Sequence, residues 1–269
     1  MQTTMISRCR AFAGVLALLL LGSCSDDSTG PEDPGPPVAT KVVACEFFAN
    51  YASFLCVHAD SALQAAMDAV GRERVVDVSP HVNFPGQADP MYNFNPTANQ
   101  ARILFNQVAG TPTTLVDGQS VPQTEITSVT AIQARIAAAL EVPAPVALAV
   151  HDTLTATTYQ VTVDLWGVES MIPSDLTLFT WVVEREVVLD QPGQNGQTHY
   201  TNVLRELLPV PGAGSTGGEA LGAIAAEEHR HFEYTYDLPA GVDPAQLAAV
   251  AFVQGPSPQR KVVQAGASF

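Results

Sequence analysis

The hydrophobic period of this chain changes at Val142-Pro143-Ala144-Pro145, and that change limits the folds open to it. Before it, short apolar runs alternate with stripes at helix spacing. VVACEFFA (42–49) suits a buried strand, and Leu55, Ala59, Leu63, Met67 and Val70 then fall along one stripe of a helix from Phe54 to Val70. RVVDVSPHV (74–82) reads as a second strand. Asn95-Pro96 supplies a cap followed by proline at the first helical position, ahead of Ala101, Leu104, Phe105 and Val108. TTLVDG (113–118) is a third strand closed by an Asp-Gly turn, and Val129, Ile132, Ile136 and Leu140 form the face of a last helix. The order β-α-β-α-β-(β)-α means a sheet covered by helices, at 42–141.

After the Pro-rich junction the period becomes two. TYQVTVDLW, DLTLFTWVVEREVVL, HYTNVLREL, HRHFEYTYDL, LAAVAFVQ and KVVQAGA are β-branched or alternating runs separated by Pro and Gly turns. Gly217 to Glu228 is the one stretch there with helical potential. Six or seven strands over residues 145–269 fit an immunoglobulin-like β-sandwich. The fold class expected is therefore α/β plus all-β.

The chain's beginning reads as an address. Arg8 and Arg10 precede the apolar run Ala11 to Gly22, the pattern of a secretory signal too short to cross a bilayer. Leu21-Gly22-Ser23-Cys24 follows directly and resembles the lipobox of bacterial lipoproteins. That resemblance implies a signal peptide at 1–23, lipidation of Cys24, and an anchor in the outer membrane, since Ser25 rather than Asp comes next. Residues 24–41, rich in Pro, Gly, Ser and Asp, then form a disordered spacer. With 27 acidic against 12 basic side chains, a net charge of −15 gives no footprint for nucleic acid. Four cysteines are too few for a disulfide scaffold and no closely spaced pairs offer a zinc cage. The partners expected are the membrane, through the anchor, and an envelope protein or peptide.

EFFANYASFLC at a strand-to-helix turn and VAGTPTTLVDG some way beyond it together resemble a thioredoxin fold. HVNFPGQADPMYNFNPTANQAR, the Gly-Thr-Pro-Thr turn, WVVERE, NVLRELLP, AFVQ and the closing VVQA are similar to bacterial lipoproteins of the twenty-eight-kilodalton outer-membrane-protein-related family. Those carry a thioredoxin-like domain followed by a β-rich one. The resemblance implies a cis peptide at Thr111-Pro112 facing a Cys-x-x-Cys motif. This chain departs from the motif: it reads Ser53-Phe54-Leu55-Cys56, so a hydroxyl stands where the attacking thiolate would be. The expectation is a binding or structural module with Ser53, Phe54, Cys56, Thr111 and Pro112 as its surface, without a cofactor. The alternative is a thiol-disulfide reductase or isomerase that uses Cys56 alone.

Other groupings carry less. Cys45 lies in a strand and Cys56 in the first turn of a helix, too far apart along that path to bridge, and both suit small buried hydrophobes. Cys56, His58 and Asp60 cannot all share a helix face. His229 and His231 share a strand face but lack an evident third ligand, so a solvated face is expected and no metal site. His81 and Asp89 flank an Asn-Phe-Pro-Gly loop that, by the resemblance to the lipoprotein family, implies a structural or binding surface beside the cis-proline. Ser53 has no base in reach and reads as a helix N-cap. No GxSxG, HExxH or P-loop motif occurs.

Overall fold

The computed structural model describes residues 39–170 and 172–269. The chain divides into units 1–34 and 35–269, and the described residues belong to the second. The signal segment 1–23, Cys24 and all of the 24–41 linker before residue 39 lie outside them.

The helix-bearing part begins with β1 (Val43–Phe48), α1 (Phe54–Val70) and β2 (Val75–Val78). Then come α2 (Pro90–Phe94), α3 (Pro96–Asn106), β3 (Thr113–Val116), β4 (Gln119–Ser120) and α4 (Val129–Leu140). The strands lie in the order β2-β1-β3-β4, with β1 parallel to β2 and antiparallel to β3. All six residues of β1 are buried, which requires cover on both faces. Val43, Cys45 and Phe47 point to one side, where α1 and α4 supply Ala59, Leu63, Met67, Ile132 and Ile136. Helix α1 ends where Gly71 takes φ 108°, open to glycine, and its N–H closes on the Met67 carbonyl.

The rest is all-β apart from a short 3₁₀ turn. It runs β5 (Val146–Leu154), β6 (Thr158–Gly167), β7 (Thr177–Val188), β8 (His199–Leu208), β9 (Glu219–Ala220), β10 (His229–Asp237), β11 (Leu247–Gln254) and β12 (Val262–Ala267). Two antiparallel sheets result, β10-β6-β5 and β12-β11-β7-β8, with β9 added to β7. Val161, Val163 and Leu165 of the first sheet meet Leu178, Val182, Ala249, Ala251 and Val253 of the second. The protein is thus a mixed α/β structure in which antiparallel sheets dominate.

The larger sheet is covered on both faces. LAAVAFVQ shows why an unbroken apolar strand occurs there: Ala249, Ala251 and Val253 face the smaller sheet, while Ala248, Val250 and Phe252 face the helix-bearing part. On that second side they join Phe179, Trp181 and Leu204 against Ala44, Val76, Val78, Ala98 and Ala101. The backbone continues the contact, since the Ser79 N–H donates to the Asn202 carbonyl and the Leu204 N–H to that of Ser79. One core therefore spans the Pro-rich junction.

Two elements differ from the sequence reading. Strand β5 directly follows Pro145 and was not expected; its outer half is exposed and pairs on one side only, so VALAVHDTL shows no alternation. Gly217 to Glu228 is not helical. Gly217, Gly218 and Gly222 have φ of 73°, 83° and 63°, which a right-handed helix excludes, and two residues there join the sheet as β9.

A buried ion pair sits inside the shared core. Arg102 of α3 is fully buried and donates to both oxygens of Glu46 on β1, at 2.8 to 3.1 Å. It also reaches Gln254 of β11 at 3.0 Å, and its guanidinium lies 4.3 to 4.7 Å from the ring centres of Phe105, Phe179 and Trp181. Removing one member of such a pair strands the other's charge, which costs about 3–5 kcal/mol, whereas replacing both with apolar residues is often neutral. Arg102→Ala is therefore expected to lower unfolding free energy by about 3–5 kcal/mol. A Glu46→Leu/Arg102→Met double variant should recover most of it; urea melts of both check this.

Candidate functional site

The turn from β1 into α1 carries Asn50, Tyr51, Ala52 and Ser53, and its shape is set by side chains far along the chain. Asp89 is the hub. Its Oδ2 accepts from the Tyr51 N–H and lies 2.8 Å from His81 Nδ1, while Oδ1 accepts from the N–H groups of Met91 and Tyr92, capping α2. Asp89 and His81 are both completely buried. Burial opposes the charged carboxylate, but the His81 charge and hydrogen bond, with the Tyr51 and Tyr92 amides, outweigh it and hold Asp89 below the usual range. Asn50 completes the brace: its amide donates to the carbonyls of Val82 and Gly86, and its oxygen accepts from the Ala52 N–H.

The loop between β7 and β8 closes on the same turn from the other part of the chain. The Asn195 N–H donates to the Tyr51 carbonyl at 2.9 Å and its side chain to the Ser53 carbonyl at 3.4 Å. Gln194 reaches the Tyr51 hydroxyl, and Gln197 reaches Asp60 on α1. Nothing local in the sequence signals these pairs, which join residues more than 130 positions apart. His81 and Asp89 were visible as flanks of a loop, and Asn50 and Asn195 were missed.

Ser53 occupies the N-cap position, but its side chain makes no capping bond, unlike the sequence reading; its carbonyl accepts the Cys56 N–H. Cys56 is 1% exposed and its Sγ lies 3.4 Å from Thr111 Oγ1. That hydroxyl already donates to the Phe48 carbonyl at 2.9 Å, so its oxygen is left to accept and the thiol is the donor. Burial of this sulfur keeps it from attacking an external disulfide. Cys45 is also free and buried, and its thiol is pushed up by burial, then by Asp77 and Asp117. Phe54 is 69% exposed, Ser53 and Thr111 are half-buried, and Pro112, after a cis bond, is buried. The structure thus brings Cys56, Thr111 and Pro112 together under the turn and leaves Phe54 outside.

Beside Thr111 a groove of about 630 Å³ is lined by Gly110, Thr111, Gln119, Gln123, Gln259 and Arg260 among others. The outward carbonyl of Pro112 is taken by the Gln123 amide at 2.9 Å. His58 is exposed, so Cys56, His58 and Asp60 do not converge. Among the described residues no group of three or more His, Cys, Asp and Glu side chains could hold a metal ion.

No family model and no curated protein matches the chain. Its fold is similar to that of HBP35 of Porphyromonas gingivalis, at 20% identity and a TM-score of 0.71 over 85% of this chain and 74% of that one. It is also similar to a protein from Agrobacterium tumefaciens, at 15% identity and a TM-score of 0.53 over 84% of this chain and 94% of that one. A domain of the outer membrane lipoprotein Omp28 from Porphyromonas gingivalis aligns at 19% identity and a TM-score of 0.30, over 47% of this chain and 89% of that one.

Two measurements follow from the geometry. Because Asp89 is held below its unfolded value, its stabilisation is present above the unfolded carboxylate pKa near ~3.9 and fades as pH falls through the lower folded value. Asp89→Asn should therefore cost about 1–3 kcal/mol at pH 7, with the gap to wild type narrowing below about pH 4 in denaturant titrations. Native protein should also alkylate at Cys56 far more slowly than unfolded protein, read by mass spectrometry.

Proposed function

We propose that this chain is an exported, lipid-anchored protein of the bacterial outer membrane whose thioredoxin-like part has lost dithiol chemistry and serves as a binding or structural module. One observation carries the loss: the motif's single sulfur is buried and donates a hydrogen bond to Thr111, while Ser53 stands in the attacking position. Reduction of a disulfide needs an exposed thiolate to attack and a second thiol to release the mixed disulfide. Cys45, buried in β1, is not bonded to Cys56, and the reading that Cys56 acts alone is disfavoured by its burial.

The strand order β2-β1-β3-β4, with α1 opening behind β1 and a cis-proline ahead of β3, supports the thioredoxin-like assignment at 42–141. Strands β5, β6 and β10 share one sheet, and β12, β11, β7 and β8 the other; this arrangement supports an immunoglobulin-like sandwich at 145–269. The Leu21-Gly22-Ser23-Cys24 motif supports the anchor. The proposed partner surface is exposed Phe54 with half-buried Ser53 and Thr111, over buried Cys56 and Pro112, and its occupant is a segment of an envelope protein or peptide.

In an insulin-reduction assay the wild-type protein should be inactive, with Ser53→Cys gaining activity; robust turnover by the wild type defeats the proposal. Cys24→Ser should move the protein from the membrane to the soluble fraction, scored by fractionation and palmitate labelling.

A further inference from the structure

The groove beside Thr111 has a chemistry that the proposed function does not use. It is bounded by the loop between α3 and β3, by the β3–β4 turn, and by Pro258, Gln259 and Arg260 of the loop between β11 and β12. The chain carries 27 acidic side chains, yet none lines this groove, and the one basic residue there, Arg260, donates from Nη1 to the Phe105 carbonyl at 3.2 Å. Its polar lining is otherwise carboxamide and hydroxyl, from Asn106, Gln107, Gln119, Gln123 and Gln259 with Ser120 and two threonines. Three of the amides have fixed orientations, because each gives its nitrogen to a group that can only accept. Asn106 donates to both oxygens of Glu46 at 3.2 and 3.3 Å, Gln119 to the Gln259 carbonyl at 2.6 Å, and Gln123 to the Pro112 carbonyl at 2.9 Å. That leaves three amide oxygens as acceptors. Asn106 is 8% exposed, and its Oδ1 is buried without a hydrogen-bond partner, a costly state for a polar atom unless a ligand or water donates to it.

We propose that this groove binds a neutral, hydroxyl-rich ligand, a short glycan segment, whose hydroxyls donate to the amide oxygens of Asn106, Gln119 and Gln123. A sugar ring presents several hydroxyl donors side by side, which matches acceptors gathered in one groove. Each hydroxyl can also accept, and the carboxamides of Gln107 and Gln259, which make no side-chain hydrogen bond among the described residues, can donate to it. Val108, Leu115 and Pro258 supply apolar surface for the C–H faces of the ring. A charged ligand finds no carboxylate here and a single cation that is already engaged. An added peptide strand finds little to pair with, since β4 spans two residues and the Pro112 carbonyl is taken by Gln123.

Contacts between the walls hold the groove in shape. Gln119 ties the β3–β4 turn to Gln259, and Gln254 Nε2 donates to the Arg260 carbonyl at 2.6 Å. Turn and loop abut so closely that a Cβ at Gly118 would stand 1.9 Å from the Arg260 oxygen. The volume of about 630 Å³ falls within the roughly 300–1,000 Å³ of small-ligand sites. Walls fixed in advance lower the ordering cost of binding.

Chemical-shift mapping on the isotope-labelled full chain, with cello-, malto- and chito-oligosaccharides as the probes, tests the site. At least one probe is expected to bind saturably at millimolar concentration and to shift the Asn106 side-chain amide together with the backbone amides of Gly110, Gln119 and Gln259. Gly110→Trp should weaken that binding at least about 10-fold by filling the groove. A Cβ at Gly110 meets nothing within 4 Å, so the larger side chain leaves the fold intact, which melting temperatures close to wild type will show. Gln123→Met keeps the shape of the side chain but removes its amide, and should weaken binding by about 5- to 10-fold. The proposal falls if no probe saturates, if the shifts map to another surface, if Gly110→Trp binds as well as wild type, or if a neutral Gly-Ser peptide binds the groove in preference to every sugar.

Discussion

Arg102 holds together elements that the sequence keeps far apart. Its charge is fully buried between a helix of the first part and a sheet of the second, and Glu46 and Gln254 supply the hydrogen bonds that make such burial tolerable. The guanidinium's NH1 has no hydrogen-bond acceptor, and the three rings around it provide attraction in its place. An ion pair in that position contributes less to net stability than to register. Only one placement of α3 against β1, β7 and β11 pairs these charges, and any slip exposes both to an apolar core. The surrounding contact of Trp181, Phe252 and Val250 with Ala44, Val76 and Ala101 supplies the burial energy.

The same joining of distant segments shapes the turn that bears Ser53. Asp89 and Asn50 brace it from beneath, and Asn195 grips it from the β7–β8 loop. The turn is therefore pinned by both parts of the chain, whereas an oxidoreductase must admit a disulfide to this place. The sulfur beneath is shielded as well, with its proton committed to Thr111. A hydroxyl stands at 53, the thiol at 56 is buried, and the turn between them is braced. What remains accessible is apolar at Phe54 and Leu55 and polar in the groove beside Thr111.

The local pattern was legible where neighbours in sequence decide the structure. Helices α1 and α4 follow from periodicity, as do most strands after residue 157, and the Asn95-Pro96 cap marks the start of α3. The stripe read for α3 does not hold, since Leu104 is exposed, Val108 lies beyond the helix, and the buried face runs through Ala98, Ala101, Arg102 and Asn106. Pattern failed at β5, an edge strand whose outer half touches solvent on both faces, and at Gly217 to Glu228, where glycines in the left-handed region draw the chain into the sheet. Periodicity records burial, so it is silent where a strand is unburied, and it cannot tell a glycine that a helix tolerates from one that a turn requires.

By itself the sequence determined the kinds of elements, the change from helix-bearing to all-β structure near residue 143, and the presence of a serine three residues before Cys56, because each rests on residues close together in the chain. Only the tertiary structure decided that the two parts share one core, that Asp89 and Asn195 lock the Ser53 turn, that the Cys56 thiol hydrogen-bonds Thr111, and that Asp164 stands between His229 and His231. Those contacts join residues from 38 to more than 140 positions apart, and a hydrogen bond or ion pair across such a span leaves no periodic trace in the amino-acid order.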